Sequence, residues 1–436
     1  MGSITCKFGG TSLADAVAIQ RAVDIINANP DRRFIVPSAP GKRSANDKKV
    51  TDLLYAWHTI AHEGLDAAEP RRIVQERFEA LAADLGVALD VQQYIDEIDA
   101  QVKDSDSPDY MASRGEYLNG RLIAALLDAT FVDPVDYIRF DESGAFEEGS
   151  YAALGQALSG EGRFVVPGFY GSDEGGQIKT FSRGGSDITG SIVARASGSS
   201  MYENWTDVSG FMMADPRIVK NPKHIKEITY QELRELAYMG ATVLHDEAIF
   251  PVRSKGIPIN IRNTNEPDHP GTTIVPKRVS DTPVCGVAGR AGFSMLNIEK
   301  AFLNKERGFG RRVLTVLEEN GIGWEHMPTG IDTISVIIRD EDLDGLSHKI
   351  IEAIQKRCEP DDISISSGMA MIATVGQGMN HHVGVAARLC SAIAEVGVNL
   401  RVIDQGSSEM NIIIGVDEGD LSRAVCAIYN AFETWS

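Results

Sequence analysis

What the chain has little of narrows it first. Cysteine is sparse, with five in 436 residues (Cys6, Cys285, Cys358, Cys390 and Cys426). The number is odd, the positions are scattered and no C-x-x-C pair occurs, which points to reduced thiols in a cytoplasmic protein rather than a disulfide framework. No apolar run approaches the ~18 residues that a membrane helix needs. The N-terminal residues show no basic region followed by an apolar core, so no secretory signal is expected. Positive charge is in deficit: 42 Lys and Arg against 62 Asp and Glu give a net charge of −20. That balance argues against nucleic acid or an anionic membrane as the general partner. It also means that an anionic substrate needs a local basic pocket set against the field of the whole molecule.

What is present begins in the first dozen residues. Ile4-Thr5-Cys6-Lys7-Phe8-Gly9-Gly10-Thr11-Ser12 reads as a short strand ending in a lysine. Two glycines follow, then two hydroxyls able to cap the next helix. Backbone N–H groups, a helix N-terminus and one cation then face a common space, which favours phosphate. The lysine precedes the glycines, so this is not a Walker A loop; an ordinary βα turn is the plainer reading. The length predicts two or three domains, and a content of 43% hydrophobic and 24% charged residues is that of a globular chain. Up to about Asp281, strand-like runs (33–38, 163–169, 200–205, 257–262, 272–275) alternate with helical periods (14–28, 50–63, 113–129, 186–197, 230–238). Such alternation predicts a parallel sheet covered on both faces, with ligands at the C-terminal strand edge. The stretch 63–103, with Ile73, Arg77, Leu81 and Leu85 at helical spacing, reads as a helical excursion without identifiable chemistry.

Beyond Asp281 the pattern changes and repeats. Strands are predicted at 284–289, 324–327, 333–338 and 362–367 with helices at 310–320 and 346–357. A second copy has strands at 370–375, 400–405 and 410–416 and helices at 383–396 and 421–432. Two βαββαβ units of this kind bury little alone and pair through strand edges. Val313, Leu314 and Leu317 read as core.

Several polar turns lie at predicted strand ends. Ser38 closes an apolar strand. Thr51 stands at the start of a helix, where a plain N-cap explains it. Glu116, in Ser113-Arg114-Gly115-Glu116, is expected in the first turn of its helix, where the dipole alone would accommodate it. Ser182-Arg183-Gly184-Gly185-Ser186-Asp187 is a second anion-friendly turn, with an arginine able to grip a carboxylate bidentately and an aspartate able to hold a lysine or magnesium. Trp205-Thr206-Asp207-Val208 and Ala214-Asp215-Pro216-Arg217 follow another strand.

Together, Lys7-Phe8-Gly9-Gly10-Thr11-Ser12, the Ser182–Asp187 turn, Thr206-Asp207-Val208 and Ala214-Asp215-Pro216-Arg217 resemble the aspartokinase family: an amino-acid kinase region followed by tandem ACT domains. Val166-Pro167-Gly168-Phe169, Gly240-Ala241-Thr242-Val243-Leu244-His245 and Gly406-Ser407-Ser408-Glu409 extend the resemblance, in order, over nearly the whole chain. It implies an α/β fold with a mostly parallel, eight-stranded sheet between helices at 1–280, and ACT domains at 281–365 and 366–436. It implies transfer of a phosphoryl group from ATP, with Mg2+, to the β-carboxylate of L-aspartate. It further implies feedback by lysine or threonine, and a homodimer or larger assembly. On this resemblance Lys7 and Asp187 are catalytic, Asp187 orienting Lys7 or the metal. Lys7, Gly9, Gly10, Ser12, Thr206, Asp207, Met212, Arg217, Thr242 and Val243 meet the nucleotide. Arg183 takes the α-carboxylate of aspartate and Glu116 its ammonium, with Ser38, Thr51, Gly185 and Ser186 completing the pocket. Glu306, Phe309, Gly310, Trp324 and Glu325 belong to the effector region. No metal ligands supplied by the chain itself are assigned.

Two departures stand out. Thr242 takes the place of a lysine common in the family, leaving Lys255 as the alternative cation, and Trp205 replaces a lysine often found before the Thr-Asp pair, which would change how the nucleotide packs. Glu325 is either an acceptor for an effector ammonium or a solvated edge-strand glutamate. The competing functions are a different amino-acid kinase, the kinase part of a fusion with homoserine dehydrogenase, and an inactive amino-acid sensor. Arg183 with Glu116 opposes the first, the absence of a later G-x-G-x-x-G the second, and Lys7 with Asp187 the third.

Overall fold

A computed structural model describes residues 2–102, 107–182, 184–240, 246–280 and 282–435. The chain forms two compact units. One consists of Met1–Phe211, Lys226–Tyr230 and Val243–Arg278, the other of Met212–Ile225, Gln231–Thr242 and Val279–Ser436.

The first unit is built on ten strands: β1 (Ile4–Phe8), β2 (Arg32–Pro37), β3 (Thr130–Phe131), β4 (Phe164–Val165), β5 (Tyr170–Ser172), β6 (Ile178–Thr180), β7 (Met201–Thr206), β8 (Glu227–Thr229), β9 (Ile259–Asn263) and β10 (Thr272–Val275). Eight form one sheet in the order β3-β4-β2-β1-β7-β9-β10-β8, and β5 and β6 make a separate hairpin. β10 runs antiparallel to β9 and parallel to β8, while the other pairings in the large sheet are parallel. The connections carry α1 (Ala16–Asn27), α2 (Val50–His62), α3 (Ala68–Asp84), α4 (Val91–Gln101), α5 (Asp109–Leu127), α6 (Gly149–Ala157), α7 (Gly185–Ala196) and α9 (Phe250–Arg253), while α8 (Tyr230–Tyr238), which follows β8, lies in the second unit from Gln231 on. Central β1 and β2 are almost entirely buried, as expected for parallel strands covered on both faces. β1 lies between β2 and β7, so its C-terminal residue pair opens at the middle of the ligand-binding edge.

Local departures from the predicted elements have local causes. The strand expected over 163–169 shrinks to Phe164–Val165, because Pro167 has no N–H to donate and Phe169 adopts a left-handed φ of 84°. Helix α5 begins at Asp109, four residues before the predicted start, so Glu116 lies inside the helix and the dipole reading does not apply. Residues 110–120 are all buried, and a helix buried all round shows no amphipathic period to mark its beginning. Thr11 and Ser12 sit in a single 3-10 turn, and the N-cap of α1 is Asp15, which accepts from Ala18 N at 2.8 Å. Likewise Thr51 is not a cap: α2 starts at Val50 after Lys49.

In the second unit five strands form one antiparallel sheet, β12-β11-β13-β15-β14, from β11 (Gly286–Glu299), β12 (Thr333–Arg339), β13 (Asp362–Val375), β14 (Val402–Asp404) and β15 (Asn411–Asp417). The two strands predicted at 362–367 and 370–375 are one 14-residue strand. It closes the first copy of the repeat and opens the second, so the copies share a strand instead of pairing through separate edges. β11 and β13 pair along their length with register shifts around Arg290–Met295. Helices α10 (Phe309–Glu319), α11 (Asp340–Leu343) and α12 (Ser347–Cys358) belong to the first copy, and α13 (Val385–Glu395) and α14 (Leu421–Phe432) to the second. Each copy keeps its own core, one around Leu296, Phe309, Val313 and Ile350, the other around Ile372, Leu389, Ile414 and Val425. The strand expected at 324–327 is reduced to isolated bridges of His326 and Thr329 to β12, with Pro328 between them. No described helix is long and apolar enough to cross a membrane.

Candidate active site

Lys7 is the penultimate residue of β1 and is buried. Alternation along the strand sends its side chain to the face covered by α7. There Nζ meets Asp187 Oδ1 at 2.6 Å. Asp187 stands in the first turn of α7, where the helix N-terminus favours a carboxylate. A third residue, which sequence reasoning missed, completes the arrangement. Asn204 is the register partner of Lys7 on β7, and its Nδ2 donates to the same Asp187 Oδ1 at 2.9 Å. The only available signal was its place one residue before Trp205, which puts it on the lysine's side of the sheet.

Gly9 and Gly10 follow at the strand end. Gly9 N donates to Trp205 O at 3.0 Å, and a Cβ at Gly9 would stand 3.6 Å from Lys7 Nζ. The missing side chain therefore leaves open the space beside the ammonium, which is a cradle suited to a phosphoryl group. Ser12 is buried and shares a hydrogen bond with Thr264 Oγ1 at 3.0 Å, so its hydroxyl ties the turn to the sheet edge. Thr264 Oγ1 in turn reaches Thr206 O at 3.1 Å. Thr206 ends β7 and Asp207 follows it, with the Thr206 hydroxyl donating to Asp207 Oδ1 at 3.2 Å, and Asp207 is exposed.

On the other side of β1, Ser38 N donates to Phe8 O at 3.1 Å and Ser38 O accepts from Asn119 Nδ2 at 2.7 Å. Asn119 and Glu116 both project from α5. Gly115 lets this helix approach, since a Cβ there would lie 2.8 Å from Ala39 Cβ. Glu116 is buried, and its Oε2 has no hydrogen-bond partner among the described residues. Burial pushes its carboxyl up to about 7, against the Ala39 N–H, Arg114 and the nearby Lys7, which pull the other way. An acid in that state is short of a cation. Thr51 is half-buried in the first turn of α2, and Gly185 and Ser186 open α7, two and one residues before Asp187.

Arg183, Thr242 and Val243 lie outside the described residues. Trp205 is corrected: it is fully buried on the opposite face, stacked on Phe8 at 6.1 Å, with Nε1 donating to Glu203 Oε2 at 2.9 Å and Arg32 and Arg262 over its ring. It is a core residue beneath the site rather than a packing surface for nucleotide. Lys255 is exposed just after α9. In the second unit Met212 is exposed, and Arg217 closes on Asp215 through Nη2 at 2.6 Å while remaining largely in solvent. Among the described residues no group of three His, Cys, Asp or Glu could hold a metal ion.

The effector-region residues are also in the second unit. Glu306 is paired with Lys300 at 3.0 Å and with Arg312, which keep its carboxyl low. Phe309 is a core side chain, Gly310 follows it in α10, and Trp324 is exposed. Glu325 is not a solvated edge residue. Its side chain is 8% exposed, Oε1 accepts from Arg339 Nε at 2.5 Å, and Oε2 is buried without a partner among the described residues.

Comparison with known proteins identifies the family. Residues 4–263 match the model of the amino acid kinase family and residues 372–432 an ACT domain model. Aspartokinase 3 of Bacillus subtilis is 39% identical, with 98% of each chain covered. The structure of Clostridium acetobutylicum aspartate kinase superposes with a TM-score of 0.94 at 48% identity, covering 98% of this chain and all of that one. Escherichia coli aspartokinase III, solved with lysine and aspartate in its T-state, gives a TM-score of 0.73 at 25% identity and 99% coverage of both chains. With catalytic and regulatory halves both accounted for along nearly its full length, the chain belongs to the aspartokinases and phosphorylates the β-carboxylate of L-aspartate.

Proposed function

We propose that the reaction runs at the C-terminal edge of β1, with ATP as donor, Lys7 as the charge that stabilises the transferring phosphoryl group, and Glu116 as the partner of the substrate ammonium. The observation that carries the reading is the buried Glu116 carboxylate near Lys7, whose Oε2 has no hydrogen-bond partner among the described residues, beside the Lys7–Asp187 pair. A β-carboxylate oxygen attacks the γ-phosphorus, the bond to the bridging oxygen breaks, and ADP leaves. The nucleophile is already ionised, so no general base is required. Phosphoryl transfer asks the protein chiefly for positioning and charge. Lys7 meets the charge, Asp187 aims Lys7, and Asn204 aims Asp187. Gly9, Gly10, Thr206 and Asp207 border the phosphate and nucleotide side. Ser38, Thr51, Gly185 and Ser186 border the amino acid, and Arg183 takes its α-carboxylate. Mg2+, when bound, would neutralise phosphate charge; Asp187 is the side chain that would face it, and among the described residues no group of three His, Cys, Asp or Glu forms a metal cage.

Residues 281–365 and 366–436 act in this reading as regulatory modules. Lysine, the ligand named for the Escherichia coli enzyme, is the first effector to test, with threonine second, and the open edges of β12 and β14 suit assembly into a homodimer or larger. The decisive assay traps the acyl phosphate as hydroxamate. Wild-type protein gives product with aspartate and none with glutamate or acetylglutamate, and Lys7→Ala loses at least about a hundredfold in kcat, by analogy with a lost oxyanion donor. Near-normal turnover by that variant refutes the assignment.

A further inference from the structure

Helix α3 belongs to the excursion to which the sequence assigns no chemistry, yet it carries a deeply buried cation. Arg77 is 6% exposed. Its Nη1 donates to Asp47 Oδ2 at 2.7 Å, and its Nη2 donates to Ala14 O at 2.9 Å and to Gly41 O at 2.6 Å. The acceptors belong to two distant pieces of chain. Ala14 lies at the entry to α1, while Gly41 and Asp47 both lie in the loop that joins β2 to α2. Asp47 is itself fully engaged, accepting from Arg43 N, Nε and Nη2, each at 2.9 Å. Those donors hold its carboxyl far below the ordinary carboxylate range. A desolvated guanidinium is costly to bury and adds little to packing that leucine would not supply, so a helix needing only to cover the sheet would have no use for it there.

What the guanidinium holds is the wall of the active site. Gly41 N donates to Gly10 O at 2.8 Å, and a Cβ on Gly41 would come within 2.5 Å of that oxygen, so only glycine permits the approach. Gly10 belongs to the turn beside the Lys7 ammonium. Two residues before Gly41, Ala39 offers its N–H to Glu116. The loop is thus wedged between the phosphate turn and the carboxylate that takes the substrate ammonium. Ser38 and Thr51 stand at its two ends.

We propose that Arg77 is a positioning residue of the active site, whose guanidinium fastens the 38–49 loop to the glycine turn after β1 and thereby sets the aspartate pocket. The proposal rests on the site reading given above and deepens it. Arg77 touches neither substrate nor nucleotide. It acts through Gly41 and Asp47 on the spacing between Lys7 and Glu116, to which in-line transfer is sensitive at the ångström level.

The test measures hydroxamate formation against aspartate at saturating MgATP, at a temperature where circular dichroism shows each variant folded. Arg77→Ala is expected to raise KM for aspartate and lower kcat, with kcat/KM falling by at least about thirtyfold. Arg77→Lys is expected to fall similarly, because one ammonium cannot reproduce a planar fork shared among separate acceptors. Millimolar guanidinium should restore part of the Arg77→Ala rate, a readout that general destabilisation does not give. Arg121→Met removes another largely buried arginine, one that packs on Phe131 away from this loop; it is expected to lower Tm and leave kcat/KM within about twofold. A folded Arg77→Ala with kcat/KM within twofold of wild type overturns the proposal. Where that variant does not fold, Asp47→Asn replaces it: a loss of fivefold or more in kcat/KM supports the clamp, and an unchanged value overturns it. Lys7→Ala run alongside separates the two readings. An active Lys7→Ala sinks the site itself, whereas an inactive Lys7→Ala with a normal Arg77→Ala sinks only the clamp.

Discussion

If Glu116 receives the substrate ammonium, as proposed, its buried carboxylate should make aspartate binding depend on pH in the neutral range. Burial raises its carboxyl from 4.5 to about 7, so in the free enzyme the ionised fraction is about one-eleventh at pH 6, one-half at pH 7 and ten-elevenths at pH 8. Only the ionised form pairs with the substrate ammonium, which stays protonated throughout. The apparent KM for aspartate should therefore fall about tenfold from pH 6 to pH 8, with kcat nearly flat, since Glu116 touches no reacting atom. Stability carries the opposite sign. A carboxyl whose folded value is raised contributes stability fully present below about 4.5 and lost as pH climbs through about 7. Glu116→Gln removes that loss, so it should raise the unfolding free energy by up to about 3 kcal/mol at pH 8 and change little at pH 4.5. Initial rates at saturating MgATP across pH 6 to 8, with thermal unfolding of both proteins, measure both effects. A wild-type KM independent of pH, or a Glu116→Gln variant that keeps the same slope, refutes the reasoning.

Two further outcomes follow from other parts of the structure. Glu203 lies under the active site with Arg32 at 2.8 and 3.1 Å, Arg262 at 3.6 Å and Trp205 Nε1 at 2.9 Å. Glu203→Gln leaves two buried guanidinium groups undercompensated and should cost about 3–5 kcal/mol in urea unfolding; a loss under 1 kcal/mol would contradict the buried-network account. In the regulatory unit, Glu325→Gln should abolish or weaken lysine inhibition by about tenfold or more in half-inhibitory concentration while leaving uninhibited turnover within twofold, because charge-assisted pairing with an ammonium is lost. Inhibition unchanged in the variant would remove Glu325 from the effector site.

How much of this was legible beforehand varies by element. The glycine turn after Lys7 and the Ser182–Asp187 turn stood out because phosphate and carboxylate recognition would need particular residue types at close spacing, and the structure brings Lys7 and Asp187 of these two turns together. The helices over 230–238 and 421–432 and the strand over 272–275 matched to the residue, since each is a clean amphipathic or β-branched run. Helix α5 was misplaced because burial on every side erased its period. Asn204 and Arg77 were unreadable for a different reason: an asparagine in a strand and an arginine in a helix carry no meaning until register and packing show what lies opposite. Trp205 misled because neighbours in a strand face opposite sides of the sheet.

The sequence alone determined the kinds of element, their order and the residue types fit for phosphoryl transfer, because these depend on spacing along a few residues. Tertiary structure alone decided which of those residues meet. Parallel register brought Asn204 beside Lys7, helix α5 buried Glu116 with its Oε2 lacking a hydrogen-bond partner among the described residues, and an outlying helix delivered a guanidinium onto the loop after β2. Contacts between segments tens to hundreds of residues apart are set by how the sheet and its covering helices pack, and local spacing does not encode them.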